Sequence, residues 1–143
     1  MTVDFDAKTS VTIHAPATKV WQALIDPALI KQYLHDTDTV SDWKVGSPIR
    51  WKGVWKGQPY EDKGTVLENV PNRRLKTTHW SPLGGTEDRP ENYHTVTYEL
   101  AEKSGYTTLT LTQSNNATQQ AADEMARNGW EPILKVMKEM IER

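Results

Sequence analysis

Polar and apolar residues alternate along Ser10-Val11-Thr12-Ile13-His14, the period of two expected of a half-buried strand. The spacing then changes. Ala15-Pro16-Ala17-Thr18 opens a helix, since proline is tolerated in a first helical turn, where its missing N–H has no partner to lose. Val20, Trp21, Leu24 and Ile25 follow at helical spacing. Asp26-Pro27 breaks that helix and starts a short second one with Leu29, Ile30 and Tyr33 as its apolar positions. Strands over Ile49–Trp55, Gly64–Val70 and Arg74–Trp80 come next, with Gly57 and Pro71-Asn72 in the turns. A loop from Ser81 to Asn92 leads to a hairpin of Tyr93–Leu100 and Tyr106–Ser114 around Lys103-Ser104-Gly105. The chain closes on a helix that Asn116 or Thr118 would cap. Trp130, Ile133, Leu134, Met137, Met140 and Ile141 form its apolar stripe, and Gly129 with Pro132 predicts a kink or restart near Asn128. Strands, two short helices, more strands and one long helix make an α+β pattern rather than βαβ, within a single domain over residues 1–143.

Turn positions imply a register, because a one-residue slip would invert every side chain of a strand. Pairing Leu100 with Thr107 across the last hairpin sets Val96 against Leu111 and His94 against Gln113. Pairing Glu68 with Leu75 sets Val66 against Thr77, and the same parity sets Leu75 against Tyr98, Thr77 against Val96 and His79 against His94. One face then gathers Ile49, Trp51, Val66, Leu75, Val96, Tyr98, Leu109 and Leu111, while the other is rich in threonine and lysine. Such a sheet packs on one side and meets water on the other. The terminal helix is the natural cover for the apolar side, where Trp51, Tyr98, Trp130 and Met137 would wall a cavity with Val66, Val96 and Leu111. A polar cluster of His79, His94 and Gln113, with Thr77 one pair inward, would lie at its mouth. Apolar walls with a few convergent polar groups are the usual form of a small-molecule site, with volumes from about 300 Å³ upward. Glu68 is the one carboxylate expected on this inner face, with Arg74 as a partner near it; the loop with Glu87, Asp88 and Glu91 reads as solvated or as a lid.

Composition narrows the partners. A net charge of -2 and a pI near 6.1 point away from nucleic acid. Cysteine is absent, which excludes disulfides and thiolate metal sites and fits a cytoplasmic location. No apolar run approaches the roughly 18 residues of a membrane span, and the opening Met1-Thr2-Val3-Asp4-Phe5-Asp6 has no secretory pattern. Six Trp and five Tyr against one Phe suit pocket walls that are apolar yet carry polar handles, although ordinary core filling is the commoner role for any one of them.

The stretch from Val11-Thr12-Ile13-His14-Ala15-Pro16 through Val20-Trp21-Gln22-Ala23-Leu24 to Asp26-Pro27 resembles the opening of the START-like superfamily, in the branch named after the activator of the heat-shock-protein-90 ATPase. Val45-Gly46, Gly64-Thr65-Val66-Leu67-Glu68, Val96-Thr97-Tyr98-Glu99-Leu100, Leu109-Thr110-Leu111-Thr112 and Gly129-Trp130 extend the likeness to about Ile141. Tyr33, His79 and Gln113 stand where the family commonly has Trp, an aromatic residue and His. The resemblance implies a helix-grip fold: a curved antiparallel sheet of six to seven strands, two short helices after the first strand, and a long C-terminal helix over the concave face. It also implies a cavity for a small apolar, aromatic or amphipathic molecule in a carrier or sensor. Some relatives are cyclases or hydrolases, and others are co-chaperones, so a chaperone partner or a homodimer is a further expectation.

No catalytic constellation accompanies this pattern. The four His residues lack HExxH spacing, there is no GxSxG elbow, and Gly84-Gly85 lacks a phosphate-cradle context. No metal site and no cofactor are expected.

Overall fold

The computed structural model describes residues 5–143, and its centre is one seven-stranded antiparallel sheet. The strands are β1 (Phe5–Ile13), β2 (Asp38–Val40), β3 (Pro48–Trp55), β4 (Gln58–Val70), β5 (Arg74–His79), β6 (His94–Lys103) and β7 (Tyr106–Asn116), in the order β1-β7-β6-β5-β4-β3-β2. Helices α1 (Ala17–Ile25) and α2 (Pro27–Tyr33) connect β1 to β2. Asp26 caps α2 by accepting from the Ala28 N–H at 2.9 Å. The chain ends in α3 (Gln119–Glu124), a π-helical turn over Met125–Trp130, and α4 (Glu131–Glu142).

Two of the hairpins close on two-residue turns in which both residues have positive φ, Lys56-Gly57 at 49° and 79° and Ser104-Gly105 at 54° and 84°. Their twist matches that of the flanking strands. The second turn corrects the expected register. Lys103 pairs with Tyr106, so Leu100 lies opposite Leu109 rather than Thr107, and Gln113 lies opposite Val96 rather than His94. The shift is two residues, so every side chain keeps its expected face. Between β5 and β6 the expected pairs Leu75–Tyr98, Thr77–Val96 and His79–His94 are all present.

β4 departs from expectation at a bulge between Val66 and Glu68. Val66 pairs with Thr77 as expected, but the extra residue puts Glu68 opposite Lys76 and Asn69 opposite Leu75. Glu68 therefore leaves the concave face for the outer one, 3.7 Å from the Arg74 guanidinium. β4 is also longer than expected, beginning at Gln58 rather than Gly64.

The concave face holds the core. Ile13, Ile49, Val66, Leu109, Leu111, Leu134 and Met137 are fully buried there, each burial stabilising by about 1.5–3 kcal/mol. Leu134, Met137 and Ile141 form the buried stripe of α4, flanked by the half-buried Trp130, Ile133 and Met140. The helix does not break at Pro132. Proline offers no N–H to the Asn128 carbonyl, and its ring crowds that carbonyl. Widening the preceding turn to π geometry relieves the conflict and keeps the axis continuous. Thr118, not Asn116, caps the start, accepting from the Ala121 N–H at 3.0 Å.

Gly64 marks where β4 and β5 approach most closely. A Cβ there would fall 1.9 Å from the Thr78 carbonyl oxygen, a backbone atom that cannot step aside. Gly84 has open space around it and a negative φ. Gly64→Ala should therefore lower the unfolding free energy by about 3 kcal/mol, the upper end for a methyl forced into packed structure. Gly84→Ala should change it by less than about 0.5 kcal/mol. Urea denaturation of the two variants checks the contrast.

Candidate ligand cavity

Beside the α4 stripe the concave face is not filled. A cavity of about 160 Å³ lies between β3–β6 and the α1–α2 region. Trp51, Asp62, Leu75, Thr77, Val96 and Tyr98 form its floor. Leu24, Ile30, Tyr33 and Leu34 form part of its roof, completed by Trp43 and by Trp130 of the π turn. The sequence pattern leads one to expect about 300 Å³. The difference has a physical cause: six inward aromatic rings, Tyr33, Trp43, Trp51, Tyr60, Tyr98 and Trp130, occupy space that aliphatic residues would leave open.

One end of the cavity is polar. His79 Nε2 lies 2.9 Å from Asp62 Oδ2, while the His79 ring stands edge-on to Trp51 with centroids 5.1 Å apart. The imidazole is thus held in place by a carboxylate and an indole. The other Asp62 oxygen, Oδ1, is buried and has no hydrogen-bond partner among the described residues. Thr37 and Tyr60 hydroxyls lie 3.4 Å apart on the same wall, and His35 adds a second imidazole. Tyr60 crosses its strand neighbour Gly53, where a Cβ would come within 2.5 Å of the Tyr60 hydroxyl oxygen.

Asp62 is the inward carboxylate that the sequence pattern does not flag. It shares the parity of Val66 and Gly64 and pairs with Trp51, so extending β4 by a few residues would have exposed it. Trp51, Thr77, His79, Val96, Tyr98 and Trp130 line the cavity, whereas Val66, Leu111 and Met137 lie behind its walls in the solid core. The side chains of the expected trio bond to other groups rather than to one another. His79 turns to Asp62. His94 Nδ1 donates to the Ser114 carbonyl at 2.8 Å, and Gln113 Oε1 accepts from Trp130 Nε1. All three border a second, open cleft beneath the 81–92 loop. That loop borders this cleft and contributes nothing to the cavity wall. Asp88 is not merely solvated: it pairs with Lys63 and accepts from the Tyr93 hydroxyl at 2.5 Å, contacts that hold its carboxyl below the usual range. Among the described residues no group of three His, Asp or Glu is arranged to hold a metal ion. No helix among them is long and apolar enough to cross a membrane.

This sheet, its helical cover and the cavity between them can be set against known proteins. The family model for Activator of Hsp90 ATPase homolog 1-like protein matches residues 14–142. The chain belongs to that family. Protein ChR145 from Cytophaga hutchinsonii is 44% identical, over 99% of this chain and 97% of that one, with a TM-score of 0.87. MLL2253 from Mesorhizobium loti is 25% identical over 95% and 97%, with a TM-score of 0.72. The Aha1 dimer from Colwellia psychrerythraea, at 22% identity over 99% and 97% and a TM-score of 0.72, shares the fold. No curated protein matches significantly. Family membership accounts for the architecture.

Burial raises the hydroxyl pKa of Tyr98 at the cavity floor, and burial with the nearby Tyr98 raises that of Tyr33. Tyr33 also donates to the Ala23 carbonyl at 2.8 Å. Both folded values lie above the unfolded value of about 10, so the unfolded chain releases these protons first. Stability should be unaffected by these groups below about pH 10 and fall above it, by at most about 1.4 kcal/mol per pH unit for each. Urea midpoints between pH 9 and 11 should fall less steeply in Tyr98→Phe than in the parent.

Proposed function

We propose that this family member is a carrier or sensor that holds one compact apolar or aromatic molecule in the cavity beneath its C-terminal helix. The observation that carries the proposal is the cavity itself: about 160 Å³, aromatic on most sides, with a carboxylate–imidazole pair at one end. An apolar protein cavity of about 150 Å³ is large enough to take up benzene. A molecule of one ring fits. A void left permanently empty would forfeit packing on every wall, so an occupant stabilises the fold. The absence of cysteine accords with a cytoplasmic setting for this role.

One observation favours a second reading. An imidazole oriented by a carboxylate is the arrangement of a general base. Under the cyclase- or hydrolase-type alternative, His79 would take a proton from the bound molecule and Asp62 would hold its ring. Conversion of a bound compound, lost in His79→Ala with binding retained, would favour that reading over a carrier.

Iodobenzene should quench tryptophan emission saturably, because Trp43, Trp51 and Trp130 face the cavity. Val96→Phe, which fills the floor, should abolish saturable quenching and leave the thermal midpoint within a few degrees of the parent. Linear, non-saturating quenching in the parent would remove the basis of the carrier reading.

A further inference from the structure

We infer that the cavity selects single-ring molecules bearing an N–H or O–H donor and turns away carboxylic acids; the inference rests on the ligand-binding reading above. Among the described residues, Asp62 is the only carboxylate on the cavity wall, and no lysine or arginine lines it. An ionised carboxylate only accepts hydrogen bonds. One oxygen of Asp62 is occupied by His79, and the other is buried without a donor among the described residues. Leaving a buried acceptor unmade is costly, and more so for a charged group. Oδ1 is inaccessible as it stands, and a turn of the carboxylate about its torsion would be needed to bring it to the cavity. A donor on a bound ring would complete the set.

The rest of the wall supports the same selection. Tyr98 lines the same cavity and adds a hydroxyl that a ligand oxygen or nitrogen could meet. A ligand carboxylate would bring a second negative charge beside Asp62, with imidazole as the one cationic candidate among the described lining residues, and like charges repel. The aromatic rings around it fix the size limit but do not distinguish toluene from phenol. That distinction falls to Asp62, which His79 and Trp51 hold in position.

The test uses three probes of nearly one shape on the full chain at pH 7: toluene, phenol and benzoate, titrated by calorimetry or by amide shifts. Phenol should bind about tenfold tighter than toluene, the ratio expected for one hydrogen bond to a charged acceptor. Benzoate should not bind. Asp62→Leu should bring phenol down to the affinity of toluene, with toluene binding itself serving as the proof of folding. Should that variant misfold, Asp62→Asn keeps the shape and removes the charge, so benzoate should then bind measurably. Equal affinity for toluene and phenol, or benzoate binding to the parent, overturns the selectivity and leaves the carrier reading standing. Binding of none of the three overturns both.

Discussion

A strand sends successive side chains to opposite faces, and β5 to β7 keep that rule from end to end. Leu75, Thr77, Val96, Tyr98, Leu109 and Leu111 all fall on one side, with Lys76, Thr97, Thr110 and Thr112 on the other. Water can satisfy the second face but not the first. That asymmetry forces a cover, and the α4 stripe of Leu134, Met137 and Ile141 supplies it. The other features of the molecule follow from how completely the cover fits.

It fits over one part of the sheet and leaves another uncovered. α4 packs against β1, α1 and α2, so the concave surface of β3 to β6 receives aromatic residues from shorter segments instead. Trp43 reaches it from a left-handed backbone position, φ 64°, held by its carbonyl accepting from Asn69 Nδ2 at 2.8 Å. Trp130 reaches it from the π turn that Pro132 imposes. Rigid rings meeting from several directions do not close on one another as flexible side chains would, and the space they leave is the cavity. The bulge in β4 has a related effect: it removes Glu68 from this surface, so that among the described residues Asp62 alone brings a carboxylate to it.

The sheet faces, the strand pairing of β5 with β6 and the helix stripe were legible because each depends on a local period that the residues state directly. The register across the Ser104-Gly105 turn was off by two residues, yet period two forgives an even shift, and the faces survived. His94 remains the cross-strand partner of His79, but Gln113 moves opposite Val96 and the two imidazoles turn to different groups, because side-chain contact depends on register and rotamer together rather than on face. β2 went unseen: at three residues, Asp38–Val40, it carries too short a pattern to stand out. Asp62 was hidden by an ended strand, since Gly64 looks like a strand start and is instead a point where two backbones nearly touch. Cavity volume lay beyond any pattern, because it depends on how six rings tilt.

The central claim is that a small ring enters this cavity and no other part of the core. Nuclear Overhauser contacts between bound toluene and the labelled methyl groups of the protein test it most directly. The account predicts contacts to Leu75, Val96 and Leu24, which line the cavity, and none to Val66, Leu109 or Leu111, which are sealed behind it. Contacts to the second set, or to the surface residues Val54 and Val70 alone, would contradict it.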